Sequence, residues 1–282
     1  MDREADKGVL EGKAAVVTGS ARGIGRAAAE LLAVHGARVL IADLDGDLAA
    51  ETASTIVGET AVYGGDLTKD GVPEAVVQAA VDAFGQLDIV VNNAGYTWDG
   101  MAHRMSDDQF RAMLEIHTVA PFKLLRAAAP YLRDAGKADR DAGREVFRKV
   151  VNVTSISGTQ GNLGQANYSA AKAGLVGLTK TLAREWGPFK VNVNAVAFGF
   201  VETRLTAASD NGGERFVKDG VEIALGIPEK MRQLAPTIIP LGRPATPEDA
   251  AGPIFFLCSP WSNFVHGQVI TASGGQTTGM TS

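Results

Sequence analysis

The chain holds 282 residues, 45% hydrophobic and 21% charged, with a formal net charge of −5, proportions of a globular domain that exclude disordered and collagen-like classes. Charges of both signs are interspersed, so no basic footprint marks a nucleic-acid or membrane-surface partner. The opening "MDREADKGVLEGK" lacks the apolar core of a signal peptide and no later run approaches the ~18 apolar residues of a membrane helix, so the expected location is the cytoplasm.

Short apolar runs fall at 14–19 ("AAVVTG"), 38–43 ("RVLIAD"), 61–66 ("AVYGGD"), 88–95 ("DIVVNNAG"), 149–155 ("KVVNVTS") and 190–197 ("KVNVNAVA"), separated by Ala- and Leu-rich stretches of helical length. Continuous rather than alternating apolar strands indicate burial on both faces, as in a parallel sheet covered by helices. The repeated strand–helix unit predicts an α/β fold, a Rossmann-type doubly wound parallel sheet. No linker divides the chain, so residues 1–282 read as a single domain. Residues 134–148 are polar and predict a surface loop or an extended helix end, while residues 202–240 are long, Gly-containing and only partly periodic, as expected of a substrate lid. The one cysteine, Cys258, has no disulfide partner and no metal-binding cluster around it, and reads as a buried small hydrophobe.

The segment "VVTGSARGIGRAAAELLA" runs from a strand through Gly19, Gly23 and Gly25 into a helix. Glycines there let backbone approach a pyrophosphate, whose charge the helix N-terminus stabilises. The spacing is G-x-x-x-G-x-G, and Arg22 and Ile24 lie within the turn. Asp43 ends the second strand near the offset at which a carboxylate accepts from the adenine ribose hydroxyls and repels a 2′-phosphate. NAD is therefore favoured; Arg22, which could meet a 2′-phosphate, keeps NADP as the alternative.

In "QANYSAAKAG" at 165–174, Tyr168 and Lys172 stand four apart and share one helix face. Carbonyl reduction by hydride transfer builds charge on oxygen and needs a hydrogen-bond donor and a proton. Tyr168 is the candidate acid/base, and an ammonium beside it lowers a phenol's pKa from near 10. Ser155, at a strand end, can hold the substrate oxygen, with Thr154 and Ser157 as local competitors. Together "TGSARGIG" at 18–25, "NNAG" at 92–95, Ser155 and "YSAAK" at 168–172 resemble the short-chain dehydrogenases/reductases, from about residue 9 to residue 276. Within that family, "VTSISGTQGNLGQANYSAAKAGLVGLTKTLARE" and "PLGRPATPEDAAGPIFFLCSP" look most like the 3-oxoacyl-[acyl-carrier-protein] reductase group.

The resemblance selects Ser155 and implies that Tyr168 is the acid/base and that Lys172 tunes it and anchors the nicotinamide ribose. Asn93 and Gly95 are expected at the adenosine side. Asp66 is expected to accept from the adenine amino group with Leu67 against the ring, a helix cap being the other reading of Asp66. Val201 and Thr203 fall where the family contacts the nicotinamide carboxamide. Two departures stand out. His117 occupies the place of a usual Asn and reads either as a proton relay behind Lys172 or as a packed interface residue; Phe198-Gly199 replaces a usual Pro-Gly, which would loosen the turn or put Phe198 on the cofactor ring. The resemblance also implies a homotetramer or homodimer.

The expected function is an oxidoreductase interconverting a secondary alcohol and a ketone with a nicotinamide cofactor, 3-oxoacyl or 3-hydroxyacyl compounds being the leading substrates. A sugar, polyol or steroid dehydrogenase is the rival enzyme, and a cofactor-binding regulator without turnover is the rival outside catalysis. Substrate contacts are expected from Tyr96, Trp98, Gln160, Asn162 and the lid.

Overall fold

The structure is a computed structural model that describes residues 8–207, 215–218 and 220–277; the ends of the predicted domain and residues 208–214 and 219 of the predicted lid lie outside these. Seven parallel strands form one sheet in the order β3-β2-β1-β4-β5-β6-β9. In chain order they are β1 (Ala14–Thr18), β2 (Arg38–Asp43), β3 (Thr60–Gly64), β4 (Ile89–Asn92), β5 (Arg148–Ser155), β6 (Val191–Phe198) and β9 (Val269–Ala272), with β7 (Arg215–Lys218) and β8 (Val221–Ala224) forming a separate antiparallel hairpin.

The apolar runs become strands because both faces are covered. Along β1, Ala15 and Val17 face a core shared with Leu32 of α1 (Gly23–Val34) and Ile254 of α10 (Pro247–Cys258). Ala14 and Val16 face the other core, which holds Val76 of α3 (Val72–Phe84), Leu124 of α5 (Ala120–Ala129) and Leu182 of α8 (Ala166–Trp186). The period-2 alternation thus separates two apolar faces rather than an apolar from a polar one. At the sheet edges, β3 and β9 are half-exposed. Helix α2 (Gly46–Thr55) completes the first half, its N-cap Asp45 accepting from Leu48 N at 3.1 Å. Cys258 is buried in the α1–α10 core, where burial pushes its thiol up to about 12 although Lys149 pulls the other way.

Between β4 and β5 the chain is helical from α4 (Asp107–Leu114) through α5 to α6 (Ala135–Asp141), widened by π turns at Glu115–Val119 and Pro130–Asp134. Each wide turn lies beside or on a proline, Pro121 or Pro130, which cannot donate to the carbonyl four residues back. The polar 134–148 stretch is therefore mostly an extended helix end, with Asp139 held by Arg144 at 2.7 Å and Arg148 at 2.9 Å. The short helix α7 (Ile156–Gln160) follows β5.

The 202–240 stretch is more ordered than its weak periodicity suggests: it contains the β7–β8 hairpin and α9 (Glu229–Ile238). Ile223 and Leu225 of the hairpin side, each 1% exposed, pack with Tyr96, Met113, Ile116 and Ala171. Among the described residues no helix is long and apolar enough to cross a membrane.

Helix α10 starts with a reciprocal cap: Thr246 Oγ1 accepts from Asp249 N at 3.2 Å and the Asp249 carboxylate accepts from Thr246 N at 2.8 Å. Thr246→Ala removes the hydroxyl half and is expected to cost about 1 kcal/mol, read as a lower midpoint of denaturant unfolding with unchanged m-value.

Candidate active site

At the carboxyl ends of β1 and β4 the strand order reverses, the place where open α/β sheets bind ligands, and a cleft of about 870 Å³ opens there. Gly19, Arg22, Gly23, Ile24, Asp43, Asp66, Leu67, Asn93, Gly95, His117, Ser155, Tyr168, Lys172, Val201 and Thr203 all line it. Gly25 does not. A Cβ on Gly25 would stand 2.2 Å from Gly19 O and 2.5 Å from Asn93 Nδ2, so this glycine lets α1 dock against the turn.

The turn fits a dinucleotide phosphate. Gly19 and Gly23 hold positive φ of +64° and +57°, and no side chain caps α1 or places an acid in its first turn. Its leading amides are thus available to an anion. Asn93 clamps the turn to β4, its Nδ2 donating to Thr18 O at 2.9 Å and Gly19 O at 3.1 Å. Asp43 accepts from Ala21 N at 3.0 Å and Asp45 N at 3.2 Å, and Arg22 is drawn to Asp45 at 3.2 Å.

Asp66 is engaged from an unexpected direction. Its Oδ1 accepts from Thr68 N at 3.0 Å and Thr68 Oγ1 at 2.7 Å, while its Oδ2 pairs with Lys218 of β7. Burial works to raise this carboxyl, but Lys218 and Thr68 outweigh it and the net shift is below the ordinary carboxylate range.

The hydroxyls that close β5 sort themselves by partner. Thr154 Oγ1 donates to Lys172 O at 3.0 Å and Ser157 Oγ donates to Gln165 Oε1 at 3.0 Å. Ser155 Oγ accepts from Ser157 N at 3.1 Å and lines the cleft with the Tyr168 side chain. Lys172 lies 5.6 Å from the Tyr168 ring centroid, yet its Nζ donates to Val153 O at 2.8 Å. Burial lowers the Lys172 ammonium to about 7 and raises the Tyr168 phenol to about 12, Ser155 opposing and Asp99 adding to the latter. Burial outweighs the expected lowering of the phenol by Lys172, whose ammonium donates to a backbone carbonyl.

His117, in the first π turn, is 2% exposed and meets Tyr168 edge-on with ring centroids 5.0 Å apart. Its Nε2 lies 2.7 Å from Tyr96 O, so Nε2 carries the hydrogen, and the buried Nδ1 is an acceptor without a partner among the described residues. Burial and then the Lys172 charge hold this imidazole well below its usual pKa of 6.5. Gly95 makes room for it: a Cβ there would stand 2.1 Å from His117 Cε1.

Of the expected substrate contacts, Tyr96 and Asn162 line the cleft and Trp98 and Gln160 do not. Composition and motif reading missed Asp99, whose carboxylate accepts from Gln165 Nε2 at 3.0 Å and is raised by burial, and it missed Lys218. No sequence signal links Lys218 to Asp66 across 152 positions. The Phe198-Gly199 turn is tight without proline: Gly199 N donates to Ala272 O at 3.2 Å, and a Cβ on Gly199 would meet Gln276 Oε1 at 2.8 Å.

A family model described as enoyl-(acyl carrier protein) reductase matches residues 19–277. The 3-oxoacyl-[acyl-carrier-protein] reductase of Vibrio cholerae is 38% identical over 267 residues, covering 94% of this chain and 98% of that protein. The proteins of that name from Thermotoga maritima and Aquifex aeolicus are each 36% identical, again covering 94% of this chain and 98% of their own length. With the glycine turn, the Ser155–Tyr168–Lys172 cluster and the parallel sheet in one cleft, the chain belongs to the short-chain dehydrogenase/reductase family and is an oxidoreductase that interconverts a secondary alcohol and a ketone by hydride transfer with a nicotinamide cofactor.

Proposed function

We propose that the chain works as a reductase of neutral 3-oxoacyl compounds, such as 3-oxoacyl thioesters, and prefers NADH to NADPH. The observation that carries this is the Tyr168 phenol in one cleft with Ser155 and Lys172; burial raises the phenol and so keeps it protonated, a state suited to giving a proton to a carbonyl oxygen. A nicotinamide held in this cleft would supply the hydride. Tyr168 gives its phenolic proton to the developing alkoxide, Ser155 orients the same oxygen, and Lys172 holds the nicotinamide ribose.

Support for the substrate class comes from the cleft wall and from the names of the relatives. Leu163, Met231 and Ile238 line the cleft with an apolar surface suited to an acyl chain. The Asp99 carboxylate at the same wall disfavours a substrate with a free carboxylate and favours a neutral thioester or ester. Three of the compared relatives are named for reduction of 3-oxoacyl groups. The NAD preference rests on Asp43 at the cleft and on Arg22 being paired with Asp45. A lid over residues 202–240 and an oligomer, a homotetramer or homodimer, belong to the same reading. For the oligomer, Phe110 stays 37% exposed on α4, which packs beside α8, and Phe122 stays 43% exposed on α5.

His117 acts here as a neutral acceptor behind Lys172 and as a positioning residue through Tyr96. Because its pKa is depressed well below the usual imidazole value by burial and the Lys172 charge, it stays neutral through neutral and alkaline pH.

A panel of 3-oxoacyl thioesters, sugar ketones and steroid ketones, assayed with NADH and with NADPH, tests the reading. The expected result is 3-oxoacyl thioesters first, NADH ahead of NADPH, and a loss of roughly 10²- to 10⁴-fold in Tyr168→Phe. Cofactor binding with no Tyr168-dependent turnover on any ketone would favour the regulator instead. His117→Ala is expected to lower kcat by roughly tenfold, with a loss that is flat through neutral and alkaline pH and smaller in His117→Asn. A loss that deepens only toward low pH would show a titrating relay.

A further inference from the structure

The hairpin β7–β8 reaches across the cleft and grips the group expected to recognise adenine. Its β8 side is anchored: Ile223 and Leu225, each 1% exposed, are buried with Tyr96, Met113, Ile116 and Ala171, and Tyr168 packs on the same cluster. Its β7 side ends at Lys218, whose Nζ pairs with Asp66 Oδ2 and lies 3.0 Å from Thr68 Oγ1. The pair is mostly shielded, with 14% and 18% of the two side chains exposed. Lys218, Asp66, Leu67 and Thr68 all line the cleft. One end of the hairpin thus belongs to the apolar packing beside the phenol and the other to the adenine end.

A carboxylate oxygen has two lone pairs and can accept from a Lys ammonium and from an exocyclic amine together only where both fit; the two donors compete when they crowd the same side of it. Asp66 Oδ1 is already held by the Thr68 backbone amide and hydroxyl. Oδ2 is the oxygen left for a ligand, and Lys218 occupies it.

We propose that Lys218 is an affinity- and specificity-determining residue for the nucleotide: it competes with the adenine amino group for Asp66, so the hairpin latches the adenine end and the cofactor must displace the latch to bind. The proposal rests on Asp66 being the adenine acceptor. In a latched chain only a fraction of molecules is competent to bind, and the apparent dissociation constant is raised by that fraction. Removing the ammonium removes this cost. Because the hairpin is anchored beside Tyr168, release of Lys218 frees the segment nearest the substrate wall, and substrate and nucleotide affinities become linked through it.

The test is equilibrium binding of NADH and of its hypoxanthine analogue, in which an oxo group replaces the adenine amine, to wild type, Lys218→Met and Lys218→Arg, followed by nucleotide fluorescence without substrate. The expected result is a roughly three- to tenfold tighter NADH complex in Lys218→Met. The hypoxanthine analogue gains less than about twofold, and Lys218→Arg stays near wild type. Hydrogen exchange in residues 215–218 and 221–224 is expected to quicken when NADH binds the wild type. Weaker or unchanged NADH binding in Lys218→Met, with the Lys218→Arg control folded and binding, overturns the latch. Equal affinity of wild type for both dinucleotides, with equal gains in Lys218→Met, overturns the shared Asp66 oxygen while leaving the reductase reading intact. Failure of every variant to bind either dinucleotide overturns both.

Discussion

The site depends on burying one cation. Lys172 is 4% exposed, on the face of α8 that packs on β5, and its ammonium donates to the Val153 carbonyl. A charge taken out of water must be hydrogen-bonded or it neutralises, and here both responses occur together, one acceptor and a pKa of about 7. The helix can come this close only because its neighbours are small. A Cβ on Gly158 would stand 2.6 Å from Lys172 Cβ, and Ala171 is fully buried. Thr154 then fastens the helix to the strand through Lys172 O. Those contacts bring Tyr168, one turn earlier, beside Ser155 at the strand end.

His117 extends this arrangement into the helix beneath. The π turn that displaces it, beside Pro121, brings its ring edge-on to Tyr168 and its Nε2 to Tyr96 O. Gly95 is thereby explained twice, by the cleft it lines and by the imidazole that fills the space of its missing side chain. A substitution at one of these three positions is felt at the other two, because the interior has no slack for a displaced ring.

The parallel sheet was legible because its strands are apolar on both faces, and β1, β4 and β6 are fully buried. Strand β9 is half-exposed and short, so its run carried little signal. The hairpin was missed for a different reason: among the described residues its core contacts come from Ile223 and Leu225 on the β8 side, and its pairing with Asp66 spans 152 positions. The glycine turn, Tyr168 and Lys172 could be proposed from residue types and spacing, whereas Ser155 is chosen over Thr154 and Ser157 by the family resemblance. The protonation of Tyr168 and Lys172 could not be read that way. Spacing alone suggested a lowered phenol pKa, whereas burial, which only the fold reveals, raises it. Asp99 and Gln165 also escaped notice, since an acid and an amide 66 positions apart announce nothing until they meet.

Kept protonated by burial, sharing the cleft with Ser155 and packed against His117, Tyr168 is the group on which the functional reading turns. The most direct measurement is label transfer. Reduced cofactor carrying two deuterium atoms at C4 of the nicotinamide is incubated with a 3-oxoacyl thioester and the product is analysed by mass spectrometry and NMR. The account predicts one deuterium at the carbinol carbon with wild type and almost none with Tyr168→Phe in the same time. Deuterium delivered at an undiminished rate by Tyr168→Phe, or no label in the product while the wild-type cofactor is oxidised, would contradict it.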